Sequence, residues 1–174
     1  MLEELDAIDR KILRVLQEDA GLANTDLAER VGLSSAPCWR RVKRLEDLGI
    51  ISRRVAILNP EALGLEIVVF ASVKLARHDQ SSLLAFENAV KNFDQVTECY
   101  TVSGGMDFLL RIVTTDMRSY EKFLREHILQ LPAVTEAHSR FVVTQVKYTT
   151  ALPLDPVVAR SASGKKLPRV KAGD

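Results

Sequence analysis

The sequence predicts an α+β chain in two parts, a three-helix unit ending in a basic helix and then a βαββαβ unit. Three observations lead there. Apolar residues recur at helical spacing in three short segments before Gly49; strand-like and helix-like segments alternate from Ile67 onward; and basic side chains concentrate in one stretch of a near-neutral chain.

The chain has 174 residues, 47% hydrophobic and 27% charged, which suits one ordinary domain or two small ones. No apolar run approaches the roughly 18 residues needed to span a bilayer, so a membrane-spanning role is excluded. The start, MLEELDAIDRK, is acidic and mixes charge with apolar residues, unlike a secretory signal, and a cytoplasmic location is expected. Cys38 and Cys99 form no CxxC pair and the histidines are scattered, so free thiols and no metal site are expected.

Ile8, Ile12, Leu13, Val15 and Leu16 fall three and four apart and mark a first helix from Asp6 to Glu18, with acids in its first turn suiting the helix dipole. Asn24 is the expected cap of a second helix, Thr25 to Val31, whose Leu27, Ala28 and Val31 face inward before Gly32 stops it. Ser34 or Ser35 then caps a third helix, with Pro37 in its first turn and Gly49 after its last residue, Leu48. On it Cys38, Val42, Leu45 and Leu48 form an apolar stripe, leaving Trp39, Arg40, Lys43 and Arg44 on the other side. Ala28 with Gly32 four residues on, then a basic helix, is the pattern of a helix-turn-helix, whose last helix enters the major groove. Ile51, Val55 and Ile57 are strand-like, and Arg53 and Arg54 beside them fit a phosphate-flanking wing. Trp39 fits either packing on the domain or contact with DNA.

Charge supports a polyanion-binding face. Residues 1–60 carry ten basic and ten acidic side chains, yet between 35 and 58 Arg40, Arg41, Lys43, Arg44, Arg53 and Arg54 face only Glu46 and Asp47. Phosphate neutralisation supplies most sequence-independent DNA affinity, although a solvated basic helix has the same composition. Residues 160–174 add five basic side chains against one acid, in a Ser, Gly, Pro and Lys-rich tail expected to be disordered and able to add non-specific DNA affinity.

The second part reads IVVFASVKL, a helix over SSLLAFENAVKNF, VTECYTV, a GlyGly turn, FLLRIVTT, a helix over MRSYEKFLREHILQL, and a final strand over VTEAHSRFVVTQVKYTT. Asp116 is placed to cap the second of these helices, whose Tyr120, Phe123, Leu124 and Ile128 share a face, and Pro132 follows its end. The order βαββαβ predicts a ferredoxin-like antiparallel sheet with both helices on one face. Val68 and Phe70 are apolar on the face opposite Val69 and Val73, so the open face is expected to pair with another subunit. Between the middle strands lies Ser103-Gly104-Gly105-Met106-Asp107. Adjacent glycines permit positive φ and close approach, and Asp107 is suited to accept hydrogen bonds from an ammonium group. The same residues also make an ordinary hairpin turn. Tyr100 fits closing such a pocket or core packing equally well.

Taken together, IDRKIL, LAERVGLS, PCWRRVKRLEDLGII, ILNPEALGL, ECYTVSGGMDFLLR and VTQVKYTTALPL resemble the Lrp/AsnC family of bacterial transcription regulators, in order, from Leu5 to Leu154. The resemblance implies a winged helix-turn-helix domain over 1–58, a linker over 59–66, and a ferredoxin-like, RAM-type domain over 67–154 that binds effector and oligomerises, with the tail at 155–174. It implies double-stranded DNA as partner, a homodimer assembling to a tetramer or octamer, a cytoplasmic, nucleoid-associated place in a bacterium, and an effector, usually an amino acid, held between dimers. Ser34, Ser35, Arg40, Arg41 and Arg44 match the start and exposed face of the family's recognition helix. Ser103, Gly104, Gly105 and Asp107 match its effector loop, with Tyr100 and, across the interface, Ser139 as further candidates. Two departures stand out. Ala36 replaces a residue whose hydroxyl could contact phosphate, and Met106 follows Gly105 where relatives often carry an aromatic after an acid, so effector identity does not transfer.

The function expected is therefore a sequence-specific regulator reading palindromic half-sites and responding to an amino acid, with no cofactor. The alternative is an effector-independent architectural or constitutive DNA-binding protein. An enzyme is not expected, since no nucleophile, base or metal cluster occurs at a convincing spacing and His78, His127 and His138 lie in different elements.

Overall fold

The computed structural model describes residues 2–3, 5–76, 79–154 and 159–160. The elements in order are β1 (Leu2–Glu3), α1 (Ala7–Glu18), α2 (Asn24–Val31), α3 (Ser35–Asp47), a 3-10 turn (Glu61–Leu63), β2 (Ile67–Leu75), α4 (Gln80–Val90), β3 (Val96–Thr101), β4 (Phe108–Thr114), α5 (Met117–Phe123) continuing as a π-helical turn (Leu124–Ile128), β5 (Val134–Phe141) and β6 (Ala159–Arg160). They divide into two compact units, one running to Ile57 and resuming at Tyr148, the other spanning Leu58–Lys147.

In the first unit, α1 begins with a capping box in which the Asp6 carboxylate accepts from the Asp9 backbone N–H at 2.7 Å. Its Ile12, Leu13 and Leu16 join Leu27, Ala28 and Val31 of α2 and Cys38, Val42 and Leu45 of α3 in one apolar core. Gly32 takes φ +78° and lets the Leu33 N–H reach back to the Ala28 carbonyl at 2.8 Å, which ends α2 and starts the turn. Gly49, at φ +71°, and the Ile50 N–H bonded to the Leu45 carbonyl at 3.0 Å end α3 in the same way. One expected cap differs, and another holds its position without a side-chain bond. Asn24 is the first residue of α2 rather than its cap, and its amide instead donates to the Ser35 carbonyl at 2.8 Å, tying α2 to α3. Ser34 stands at the N-cap of α3 without a side-chain capping bond.

The second unit is an antiparallel sheet in the order β3-β4-β2-β5, the ferredoxin-like arrangement. Val69, Ala71, Val73 and Leu75 of β2 and Phe108, Leu110 and Ile112 of β4 pack with Phe86, Val90, Tyr120, Phe123 and Ile128 of the helical layer. Asp79 and Asp116 cap α4 and α5 by accepting from the Ser82 and Ser119 backbone N–H groups at 2.9 and 2.8 Å. Residues directly opposite across a ladder share a face, so Phe70, Arg111 and Arg140 lie together on the side away from the helices.

Three sequence readings are corrected. The final strand stops at Phe141, and residues from Val142 to Thr150 form no strand, with Val143 and Val146 96% and 94% exposed. The strand-like Ile51, Val55 and Ile57 likewise join no strand. A β pattern in sequence needs a ladder partner, and neither segment finds one among the described residues. Tyr148–Leu154, expected with the second domain, belong to the first unit, where Leu154 packs against the helical core. His78 and most of the basic tail lie outside the described residues.

Candidate nucleic-acid interface and effector loop

The turn at Gly32 and the Asn24–Ser35 bond hold α3 by its N-terminus against α2, while the Cys38, Val42 and Leu45 stripe seats it on α1 and α2. The first-turn position of Pro37 costs no hydrogen bond, because that amide would have no helical partner. What remains outward is Trp39, 57% exposed, with exposed Ser34, Ser35 and Arg40. Arg40 makes no hydrogen bond or ion pair among the described residues.

The other basic residues behave differently from a uniform basic face. Arg41 Nη1 lies 2.6 Å from Asp6 Oδ2 and 2.8 Å from Asp9 Oδ1, and these hydrogen bonds push its guanidinium further toward the charged state. Arg44 Nη1 lies 3.1 Å from Asp9 Oδ2. Lys43 pairs with Asp47 at 3.1 Å, which raises its pKa above the ordinary lysine value. Arg54 bonds Glu46 at 3.2 Å, whereas Arg53 is exposed. The positive charge that the sequence concentrates between 35 and 58 is thus largely neutralised in place.

Asp9 is the residue that sequence reading missed. It is 1% exposed, among the most buried side chains of the first unit. The signal was present. Asp9, Ile12, Leu13 and Leu16 fall at i, i+3, i+4 and i+7, so the acid occupies a core-facing position of α1. A carboxylate placed there demands cationic partners.

In the second unit the loop Ser103–Asp107 joins β3 to β4, with Gly104 at φ +117°. Asp107 is hydrogen-bonded to the neighbouring strand. Its Oδ2 accepts the Leu75 backbone N–H at 2.7 Å, its own N–H donates to the Val73 carbonyl at 2.9 Å, and its carbonyl accepts from the Val102 N–H at 2.9 Å. It therefore fixes the loop to the end of β2, extending the ladder beyond the Val73–Phe108 pair. Ser103, Gly104 and Gly105 remain exposed, and Met106 is half-buried.

The other two candidates lie on opposite faces of the sheet within one chain. Tyr100 lies opposite Leu109, which lies opposite Ser72 and then His138, so Tyr100 and His138 share the open face. Ser139, one residue on, faces the helices, and its hydroxyl pairs with that of Tyr120. The Tyr100 hydroxyl donates to Glu98 at 2.8 Å, and that carboxylate holds its pKa above the usual phenol value. A cleft of about 340 Å³ sits between α4 and β3, lined by Glu87, Lys91, Cys99 and Thr101 among others, and includes none of residues 103–107. Burial pushes the Cys99 thiol up. Among the described residues no His, Cys, Asp and Glu group could hold a metal, and no helix is long and apolar enough to cross a membrane.

Comparisons with known proteins match both units. The family described as winged helix-turn-helix DNA-binding matches residues 5–52, and the Lrp/AsnC ligand binding domain matches residues 68–152. The leucine-responsive regulatory protein of Escherichia coli K12 is 40% identical over 150 residues, 86% of this chain and 92% of that protein. An AsnC family transcriptional regulator from Agrobacterium tumefaciens superposes with a TM-score of 0.83 at 45% identity, covering 87% of this chain and 98% of that one. A transcriptional regulator from Neisseria meningitidis, solved in complex with L-Met, has a TM-score of 0.84 at 40% identity, covering 87% and 97%.

Proposed function

Because this chain belongs to the Lrp/AsnC family of DNA-binding transcription regulators, we propose that it reads operator sequence through Trp39, Arg40 and the Ser34–Ser35 start of α3, as a dimer whose DNA affinity or assembly responds to an amino acid. The observation that carries the reading is the contrast on α3: Arg40 and Trp39 stand exposed, while the neighbouring cations are engaged by carboxylates. An Arg free to orient its planar fork can bond the O6 and N7 edge of guanine. Arg53, exposed, and Lys43, exposed though paired with Asp47, are the further candidates for phosphate contact. Two such helices in a dimer would enter successive major grooves, which makes half-sites palindromic.

Dimerisation and further assembly are supported by the open sheet face carrying Val68 and Phe70, and by the irregular segments holding Val55, Ile57, Val143 and Val146 with their apolar side chains exposed. For the effector, the support is the L-Met complex of the Neisseria relative and the leucine response named for the Escherichia coli one. One chain keeps Tyr100 and Ser139 on opposite sheet faces, so a pocket combining them with Ser103, Gly104, Gly105, Met106 and Asp107 needs more than one subunit. In that pocket Asp107 holds the loop's shape, and the exposed backbone at Gly104 and Gly105 is what a ligand carboxylate or ammonium meets. Such a regulator acts in the bacterial cytoplasm, on the nucleoid.

The test is a mobility shift with a duplex that the wild-type chain enriches from a randomised library. Arg40→Ala should weaken binding at least about tenfold with assembly unchanged, since one bidentate base contact is worth roughly 1–3 kcal/mol. Unchanged binding would move recognition away from α3. Calorimetry against the twenty amino acids, beginning with methionine and leucine, tests the effector. No heat with any of them would favour the effector-independent alternative.

A further inference from the structure

Two guanidiniums of the DNA-reading helix converge on one buried carboxylate of another helix. Asp9 Oδ1 receives Arg41 and Asp9 Oδ2 receives Arg44, while Asp6 Oδ2 takes Arg41 a second time and the Asp6 N–H reaches Asp9 Oδ2 at 3.4 Å. Arg41 and Arg44 are three residues apart, neighbours on one helix face. A single carboxylate holding both therefore fixes α3 against rotation about its axis as well as against sliding. The four charges also cancel, engaging two cations whose side chains stay 31% and 41% exposed and would otherwise be free to meet phosphate.

We infer that Asp9 is a positioning residue for DNA readout, sequestering Arg41 and Arg44 so that α3 presents Arg40 and Trp39 in one orientation and binds by base contact more than by charge. The inference rests on α3 being the recognition helix. It assigns Arg41 and Arg44, which match the exposed face of that helix by sequence, to internal duty. A carboxylate 1% exposed is costly unless paired and hydrogen-bonded, so the arginines are bound to it more tightly than exposed surface partners would hold them. Each guanidinium held there is one fewer counterion-releasing contact with DNA, and the slope of log affinity against log salt falls by about 0.9 per lost phosphate contact.

The experiment compares the full-length wild-type chain with Asp9→Asn on two probes, the library-selected duplex and a scrambled duplex of equal composition, across a salt series. Asn fills the same volume and retains hydrogen-bonding atoms, but cannot neutralise two guanidiniums. The expected result is a fall of about tenfold or more in the ratio of selected to scrambled affinity, scrambled binding no weaker than wild type, and a salt slope steeper by roughly 1 to 2 as the released arginines reach phosphates. A parallel loss on both duplexes with an unchanged slope would overturn the inference, because that is what general loss of folding support produces. No change on either duplex would overturn it too.

Should Asp9→Asn fail to fold, Arg41→Gln gives the same decision. With Arg41 on internal duty, its removal lowers discrimination and leaves the salt slope unaltered. A slope shallower by about 0.9 would mean that Arg41 itself contacts phosphate, and would overturn the inference. Arg40→Ala separates this failure from that of the underlying reading. If Arg40→Ala abolishes binding while the Asp9 and Arg41 variants behave as wild type, only the positioning role falls.

Discussion

The side-chain amide of Gln17, on α1, grips the backbone of Leu152 at both ends: its Oε1 accepts the Leu152 N–H at 2.6 Å and its Nε2 donates to the Leu152 carbonyl at 3.3 Å. A glutamine here does what a neighbouring strand would do, satisfying an exposed backbone pair 135 residues away in sequence. The bond pair lies in the first unit, beside Leu154 on the helical core. It explains why the chain beyond Lys147 leaves the sheet unit and returns to the helices.

Gln17→Leu should release this segment while leaving α1 intact. Each hydrogen bond contributes about 1 kcal/mol net. Hydrogen exchange at the Leu152 amide should therefore accelerate by roughly tenfold or more, with exchange in the β2 core unchanged. Equal protection in the variant would mean that Leu154 packing alone holds the segment.

Gly32→Ala should destabilise the helix-turn-helix. The added Cβ meets nothing within 4 Å, so the effect isolates the backbone cost of φ +78° rather than a clash. That cost is about 1–2 kcal/mol, or several degrees in the melting temperature of a unit this size. Thermal unfolding followed by circular dichroism reads it. A variant as stable as wild type would show that the turn relaxes to negative φ.

Asp107→Ala should cost stability before it costs ligand affinity. Losing the carboxylate leaves the Leu75 N–H without its acceptor, a loss of about 1–3 kcal/mol for a charged acceptor. Denaturant unfolding of the variant should shift accordingly, and any ligand response should be lost with DNA affinity in the unliganded protein largely kept. Unaltered stability would return Asp107 to the direct ligand-binding role that its chemistry suggests.

Acid should loosen α4 and α5 at their starts. The backbone N–H of Ser119 beside Asp116, and the hydroxyl and backbone donors of Ser81 and Ser82 beside Asp79, hold both carboxyls below the usual carboxylate range. A depressed folded-state pKa contributes stability that is complete above the unfolded value, about 3.9 for aspartate, and is lost as pH falls through the lower folded value. Unfolding midpoints should decline below about pH 4, and the decline should be smaller in Asp116→Ala. An identical acid profile in that variant would show that the cap contributes no pH dependence.

Much of this was legible in the sequence. The apolar spacing located α1, α2 and α3 to within a residue or two of each end, and IVVFASVKL coincides with β2. Asp116, read as the cap of the second helix of the sheet unit, stands at its N-cap and accepts from the Ser119 backbone N–H. What failed did so for physical reasons. Helical spacing places Arg41 three residues from buried Cys38, at the margin of the apolar stripe, and only a carboxylate on another helix decides that it turns inward. Asn24 reads as a cap, but Ala23 takes the extended cap conformation and the Asn24 side-chain N–H donates across the turn to the Ser35 carbonyl. Val143 and Val146 carry strand propensity, but propensity cannot supply a missing ladder partner. Nor does one chain reveal which surface of another subunit completes the loop at Ser103–Asp107.

Trp39 is the chain's single tryptophan and lies next to Arg40 on the reading face of α3, so its emission reports directly on that face. Titrating the library-selected duplex into the full-length protein, with labelled-DNA anisotropy recorded in parallel, is the most direct test of α3 as the reading helix. Trp39 emission should change and saturate in step with anisotropy, and Arg40→Ala should displace both curves together to at least about tenfold higher DNA concentration. Saturating anisotropy with unchanged Trp39 emission, and an Arg40→Ala curve superimposable on wild type, would contradict that role.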